Sequence, residues 1–310
     1  MTTSWQMWAI FGGVTFILLV LDLGVFHRKA RIIGITEALI SSAVWILASL
    51  AFNLWIYFAK GPQAGVEFLT GYLVEKSLSV DNILIFLLIF RAFRVPSEAH
   101  HKVLFCGVLG ALVLRAIFVA GGVALLSRFH RVIYVFGAIL LLTGIRMLSA
   151  EDRVVSPEKN WLVRLARRWL PITRGYVGDL FVARQNGSWM ATPLLLALLT
   201  VEATDILFAV DSVPAVLAIT QDPFIVYSSN VFAILGLRAL YFALADLLPR
   251  IHYLHQGLAA ILAFVGLKML LADAYPISAV FSLAVITGIL AVTILVSSLR
   301  AKSHRTRSAG

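Results

Sequence analysis

The sequence predicts an all-α polytopic membrane protein of about nine transmembrane helices built around an inverted repeat. Three observations carry this: the composition, the spacing of apolar runs, and motifs that recur in the same order in both halves. Of 310 residues, 60% are hydrophobic and 14% charged, whereas soluble domains carry about 25% charge. Apolar runs of spanning length fall at 5–26, 36–58, 66–90, 102–125, 130–149, 191–219, 224–247, 251–272 and 276–299. Breakers separate them: Gly61-Pro62, Pro96, Asp222-Pro223, Pro249 and Tyr275-Pro276.

The first run opens on M-T-T-S-W-Q-M-W, with no basic segment and no small-residue cleavage site, so it reads as a span rather than a removable signal. The whole, 1–310, is predicted as one transmembrane domain. Two N-terminal spans occupy 1–65, a first repeat 66–149, a basic connector 150–190, a second repeat 191–272, and a last span with its tail 273–310. The connector holds Trp161, Trp169, Leu162, Leu165 and Leu170, so its middle reads either as a short helix on the membrane face or as a tether.

Orientation follows from Lys and Arg. One side carries Arg28, Lys29, Arg31, Arg91, Arg94, Lys102, the many arginines of the connector, Arg250, and Arg300, Lys302, Arg305 and Arg307 of the tail. The other has only Lys60, Arg128 and Arg131. The N-terminus is therefore expected outside and the C-terminus in the cytoplasm, in a bacterial inner membrane. The net charge of +10 is a topology signal that also favours anionic headgroups; it is not read as nucleic-acid binding. The single Cys106 makes an intrachain disulfide impossible.

Span 3 has V-D-N at Val80–Asn82 and span 6 has V-D-S at Val210–Ser212. Leu114–Phe118, L-R-A-I-F, is echoed by L-R-A-L-Y-F at Leu237–Phe242, and G-I-R-M-L at Gly144–Leu148 by G-L-K-M-L at Gly266–Leu270. Spans 3–5 thus correspond to spans 6–8 with opposite direction, a transporter design with its substrate site near the midplane. The register of the first element stays open. Asp81 precedes Arg115 by 34 residues, while Asp205 and Asp211 precede Arg238 by 33 and 27.

The chemistry lies in spans 3 and 6. Glu75, Asp81 and Asn82 sit in one, and Glu202, Asp205, Asp211 and Ser212 in the other. A carboxylate at the bilayer centre costs about 2.5–3.5 kcal/mol on insertion scales, so these groups must face partners. Asp211 would point about 180° from Glu202 on an unbroken helix. Either the helix breaks near Pro214, which frees the Val210 carbonyl, or the acids serve two places. Carboxylate, amide, hydroxyl and carbonyl oxygens suit hard divalent cations. Lys76, Arg115 and Arg238 are also intramembrane and stand as pathway or ion-pair residues, with Arg146 and Lys268 near span ends. Asp22 reads equally as a cytoplasmic gate or an interfacial residue. Glu67, Asp246 and the histidines at 100, 101, 252 and 255 read as interfacial, and Gly107, Gly110, Gly121 and Gly122 as helix packing.

E-K-S-L-S-V-D-N at 75–82, V-E-A-T-D-I-L-F-A-V-D-S-V-P at 201–214, F-A-I-L-G-L-R-A-L-Y-F at 232–242 and D-L-G-V-F-H-R at 22–28 resemble the TerC family of integral membrane proteins, in particular its Alx-type members. The resemblance extends from the first span to the ninth. It implies a relative of the LysE superfamily of transporters, in a family named for tellurium resistance and associated with manganese export and metal homeostasis. It also implies that Glu75, Asp81, Asn82, Glu202, Asp205 and Asp211 belong to the ion pathway.

The expected function is a secondary transporter exporting divalent cations, Mn2+ first among them, with proton exchange as the driving force. Its expected partners are the cation and membrane lipids. Two alternatives differ in class: a membrane scaffold for metal or tellurium stress whose acids are locked in ion pairs, and a LysE-like exporter of small organic cations. No nucleophile–base pair, cofactor loop, zinc motif or nucleotide-binding signature points to an enzyme, a resident cofactor or an ATP-driven pump.

Overall fold

The computed structural model describes residues 4–26, 35–129, 131–149, 164, 168–185, 187–244, 253–275 and 277–307. Within them the chain forms α1 (Trp5–Phe26), α2 (Ile35–Lys60), α3 (Pro62–Phe93), α4 (Ser97–Arg128), α5 (Val132–Ser149), β1 (Val182–Gln185), β2 (Ser188–Ala191), α6 (Pro193–Leu217), α7 (Pro223–Leu235), α8 (Leu237–Leu244), α9 (Leu254–Leu270) and α10 (Ala279–Arg307). The fold is the expected all-α membrane bundle.

Helix ends follow local chemistry. Thr192 and Asp222 accept from Leu194 N at 3.2 Å and Phe224 N at 3.0 Å, and each is followed by a proline at the first helical position of α6 and α7. Gly61, at φ 99°, turns the chain into Pro62 of α3. Among the described residues five stretches are long and apolar enough to cross a bilayer: Thr36–Lys60, Ser97–Arg128, Pro193–Leu217, Pro223–Ala243 across α7 and α8, and Ala279–Ser297. Three shorter apolar helices, Trp5–Leu21, Val132–Leu148 and Leu254–Leu270, join them. α3 equals α4 in length at 32 residues, but its charges keep it from reading as an ordinary lipid-facing span.

Of the two arrangements left open for α6, a break near Pro214 is not the one observed: the helix runs on to Leu217. Pro214 withholds the bond that Val210 O would accept, yet Ala218 N bonds Pro214 O at 2.9 Å and the helix continues. The interruption falls instead at Gly236, between α7 and α8. The connector ends in an antiparallel hairpin with Gln185 opposite Ser188, a feature the sequence reading did not include; the middle read as a helix or a tether lies largely outside the described residues. Between the strands the sequence reads N-G, the signal for such hairpins, and Gly187 stands at φ 81°. Within the connector only residue 164 and residues 168–169 are helical among those described; Trp161, Leu162 and Leu165 lie outside the described residues.

Among α3, α4, α5, α6, α7 and α9 the main pairs are α5 with α9, α4 with α6, α3 with α7, α3 with α6 and α4 with α7, with lesser contacts of α5 with α6 and α9 with α3. Exchanging α3 with α6, α4 with α7 and α5 with α9 maps this set onto itself. The α5–α9 crossing obeys the same exchange atom by atom. A Cβ on Gly144 would lie 2.7 Å from Ala259 O and 2.9 Å from Ala263 N; one on Gly266 would lie 2.8 Å from Gly137 O and 2.6 Å from Leu141 N. Residues 144, 141 and 137 thus trade places with 266, 263 and 259. Glycine at both crossing points lets the backbones touch, as membrane helices without a hydrophobic driving force require.

Contacts between helix ends agree with alternating spans. Lys60 pairs with Asp222, Tyr134 with Asp273, and Lys102 with Asp179 at 3.0 Å. Each joins segments that strict alternation places on the same side. The Lys102 hydrogen bond and charge hold the Asp179 carboxyl below its usual value. A folded value below the unfolded one means the pair's stabilisation is complete above the ordinary carboxylate range and is lost as pH falls through the folded value.

Two predictions follow from the packing. Gly266→Ala overpacks α5 against α9 and lowers stability by about 1–3 kcal/mol. Gly121→Ala, with nothing within 4 Å, leaves it unchanged or raised. Thermal unfolding of detergent-solubilised protein compares them. Limited proteolysis of the connector accelerates between pH 7 and pH 3, and Asp179→Asn is cleaved at the faster rate already at pH 7. An equal rate for both proteins at pH 7 would show that the pair does not hold the connector.

Candidate functional site

The V-D-N of α3 and the V-D-S of α6 meet at one cavity. Leu78, Asp81 and Asn82 of α3, Phe208, Asp211 and Ser212 of α6, Met147 of α5 and Leu262 of α9 line a space of about 30 Å3. Both triplets stand at i, i+3 and i+4, so each helix offers one apolar and two polar side chains from a single face. A water needs at least about 10–15 Å3 of such space, so the cavity takes one or two water-sized occupants.

Its polar groups differ in burial and in bonding. Asp81 and Asn82 are buried, Asp211 is half-buried, and the Ser212 hydroxyl is buried with no hydrogen-bond partner. The Thr143 hydroxyl donates to Asp211 Oδ1 at 3.1 Å. His255 Nδ1 stands 3.7 Å from Asp81 Oδ1, too long for a hydrogen bond but close enough to interact as a charge. Two carboxylates, an amide and an unused hydroxyl form an oxygen set suited to a dication.

A second polar group lies alongside. Arg115 Nη1 donates to Glu75 Oε2 at 2.6 Å and to Asn230 Oδ1 at 2.7 Å, and Asn230 Nδ2 donates to Val226 O at 2.8 Å. Glu75 and Asn230 are fully buried, and Glu75 Oε1 has no hydrogen-bond partner. Asp205, also buried, shares the electrostatic field of Glu202, Arg115 and Glu75. The Glu202 carboxylate sits on Gly110 of α4, where an added Cβ would lie 2.1 Å from its oxygen. The glycine makes room for the charge.

The TerC family profile matches residues 60–305. The chain belongs to the TerC family of integral membrane proteins. It is 48% identical over 303 residues to an uncharacterized membrane protein, STKORF319, of Myxococcus xanthus, covering 98% of this chain and 95% of that one. It is 45% identical over 303 residues to a Salmonella typhi protein named "Putative membrane-bound redox modulator Alx", and 44% over 302 residues to its namesake in Escherichia coli (strain K12), covering 94% of both chains in each case. No solved structure matches.

In this TerC protein the predicted residues divide between two places, the second of the arrangements left open by the sequence. Asp81, Asn82, Asp211 and Ser212 line the cavity; Glu75, Glu202 and Asp205 gather near Arg115. Among the described residues no three His, Cys, Asp or Glu side chains form a metal-holding group on their own. Lys76 joins neither set: its ammonium donates to Ala233 O at 3.2 Å, beside the break at Gly236. One residue on from Glu75, it points about 100° away around the helix. Arg238 is buried in the first turn of α8. The Asp22 side chain, Asp246 and His252 lie outside what is described.

Sequence reasoning missed Thr143, Met147 and His255. The first two stand four apart on α5 around the recurring G-I-R-M-L, a usable face signal. His255 was read as interfacial and carries no local signal. His100 remains structural, its Nε2 3.1 Å from Val95 O and its Nδ1 3.2 Å from the Tyr241 hydroxyl.

Removing one partner of the buried Glu75–Arg115 pair strands a charge. Arg115→Met is expected to cost about 3–5 kcal/mol in detergent unfolding, and the double variant with Glu75→Gln to recover most of it. Equal loss in single and double variants would show that the pair itself is not the source of stability.

Proposed function

We propose that this TerC protein is a secondary transporter that exports divalent metal cations, manganese(II) first, from the cytoplasm through the Asp81–Asp211 cavity. The observation that carries the reading is the convergence of two matched polar triplets, one from each half, on a single buried space. Two aspartates neutralise a dication that would otherwise be prohibitively costly to desolvate. On this reading counter-transport of protons is the driving force.

The exchange of α3, α4 and α5 with α6, α7 and α9 in the helix contacts supports an inverted repeat, with alternating access as one repeat moves against the other. The distribution of Lys and Arg supports an external N-terminus and a cytoplasmic C-terminus in a bacterial inner membrane. The resemblance to TerC proteins supplies manganese and the outward direction. On this reading the protein is a carrier rather than an enzyme.

The scaffold reading is favoured at one place, the Glu75–Arg115–Asn230 network, where an acid is held in a structural bridge. A redox-modulating role of the kind named for the Alx relatives would draw no intrachain dithiol from this sequence, since Cys106 is its only cysteine.

Purified protein in liposomes is expected to move Mn2+ when a pH gradient is imposed. Asp81→Asn and Asp211→Asn should reduce movement to the level of empty liposomes while eluting as folded protein. Wild-type rates in both variants would overturn the site; no cation movement by the wild type would overturn the carrier.

A further inference from the structure

The cavity holds a group that oxygen chemistry does not use: Met147, 5% exposed, lines it beside both aspartates. We propose that Met147 is the specificity-determining residue of this site, making it select transition-metal dications over magnesium and calcium. The proposal rests on the reading of the cavity as a cation site and adds the class of cation it takes.

Two features lead to it. The first is space. A volume of about 30 Å3 admits one or two water-sized bodies, so a cation enters without most of its hydration shell. Magnesium sheds water reluctantly and keeps several waters in most protein sites, and calcium takes six to eight oxygen ligands. Asp81, Asn82, Asp211 and Ser212 with one or two waters give five or six oxygens, at or below the low end of calcium's range, and leave magnesium few of the waters it keeps. The second is the donor set. A thioether contributes little to a hard alkaline-earth ion and more to a softer transition-metal ion. Replacing an oxygen position by sulfur therefore penalises magnesium and calcium more than manganese or cadmium. Among the described residues Leu78, Phe208 and Leu262 complete the wall with hydrocarbon, so Met147 is the lining residue that carries sulfur.

The internal repeat provides a control. Met147 of G-I-R-M-L corresponds to Met269 of G-L-K-M-L. Met269 is buried against α5, its Cβ 2.9 Å from where a Cβ on Gly137 would stand, and does not line the cavity. Exchange of methionine for leucine nearly conserves volume and is usually tolerated in a core.

The test measures binding and uptake together, with wild type, Met147→Leu and Met269→Leu checked for monodisperse elution. Binding of Mn2+, Cd2+, Ca2+ and Mg2+ to purified protein is read by equilibrium dialysis, and uptake into liposomes by the same ions in competition. Met147→Leu is expected to lose about 10- to 100-fold of the preference for Mn2+ and Cd2+ over Ca2+ and Mg2+, while Met269→Leu keeps it. An unchanged preference in Met147→Leu, an equal loss in both variants, or no preference in the wild type overturns the proposal. Selective binding by the wild type that Met147→Leu loses, without uptake by either, would support the proposal and sink the carrier reading instead.

Discussion

An arginine deep in an apolar bundle must find a carboxylate, and the rest of this structure depends on how Arg115 does so. Its guanidinium joins Glu75 of α3 and Asn230 of α7 to α4 through two short hydrogen bonds. A helix face fixed at one residue is fixed at its neighbours. Asp81 follows Glu75 by six residues, about 9 Å along the axis and about 120° around it. Turning Glu75 toward α4 and α7 therefore turns Asp81 toward α5, α6 and α9, where the cavity lies. The structural bridge and the cation site are consequences of one helix orientation.

The neighbouring charges follow the same logic of room and neutralisation. Glu202 is accommodated because α4 has glycine at 110. Asp205 lies in the field of Arg115 as well as of two acids, so one guanidinium serves several carboxylates. Buried groups so arranged are stable only while each has a partner or a counter-charge. In the cavity His255 approaches Asp81 only to 3.7 Å, and the hydroxyl of Ser212 is left without a bond. What separates the structural acid from the candidate ligands is the short guanidinium bond that Glu75 accepts and the shared space that Asp81 and Asp211 line.

Much of this was legible in the residues. Apolar runs marked the helices, and the acids of spans 3 and 6 marked the polar centre, because charge in hydrocarbon is too costly to be incidental. The division of the acids was also foreshadowed by helical angles, since Asp211 and Glu202 cannot share a face on a continuous α6. What could not be read was which acid meets which base. Glu75 and Arg115 are 40 residues apart, and their meeting depends on helix packing rather than local pattern. The same holds for Met147 and His255, which reach the site from α5 and α9. The N-G between the two strands was a readable hairpin signal that the basic composition of its surroundings obscured. Pro214 left two arrangements open, and only packing decides between them, since α6 runs through it to Leu217.

The repeat also fails in one instructive place. Aligning Leu114-Arg115-Ala116 with Leu237-Arg238-Ala239 sets Gly236 opposite Val113, which is 62% exposed on an unbroken α4. At Gly236 a side chain would collide with the Lys76 ammonium at 2.8 Å and with Trp45 at 3.0 Å. A helix that stops there leaves carbonyls unpaired in an apolar setting, and Lys76 satisfies one of them at Ala233. Glycine and lysine thus act together: one opens the space, the other supplies the donor that the break requires. Neither Val113 nor the helix around it has any such need. The two halves share a set of helix contacts, yet only the second carries a joint within its middle helix.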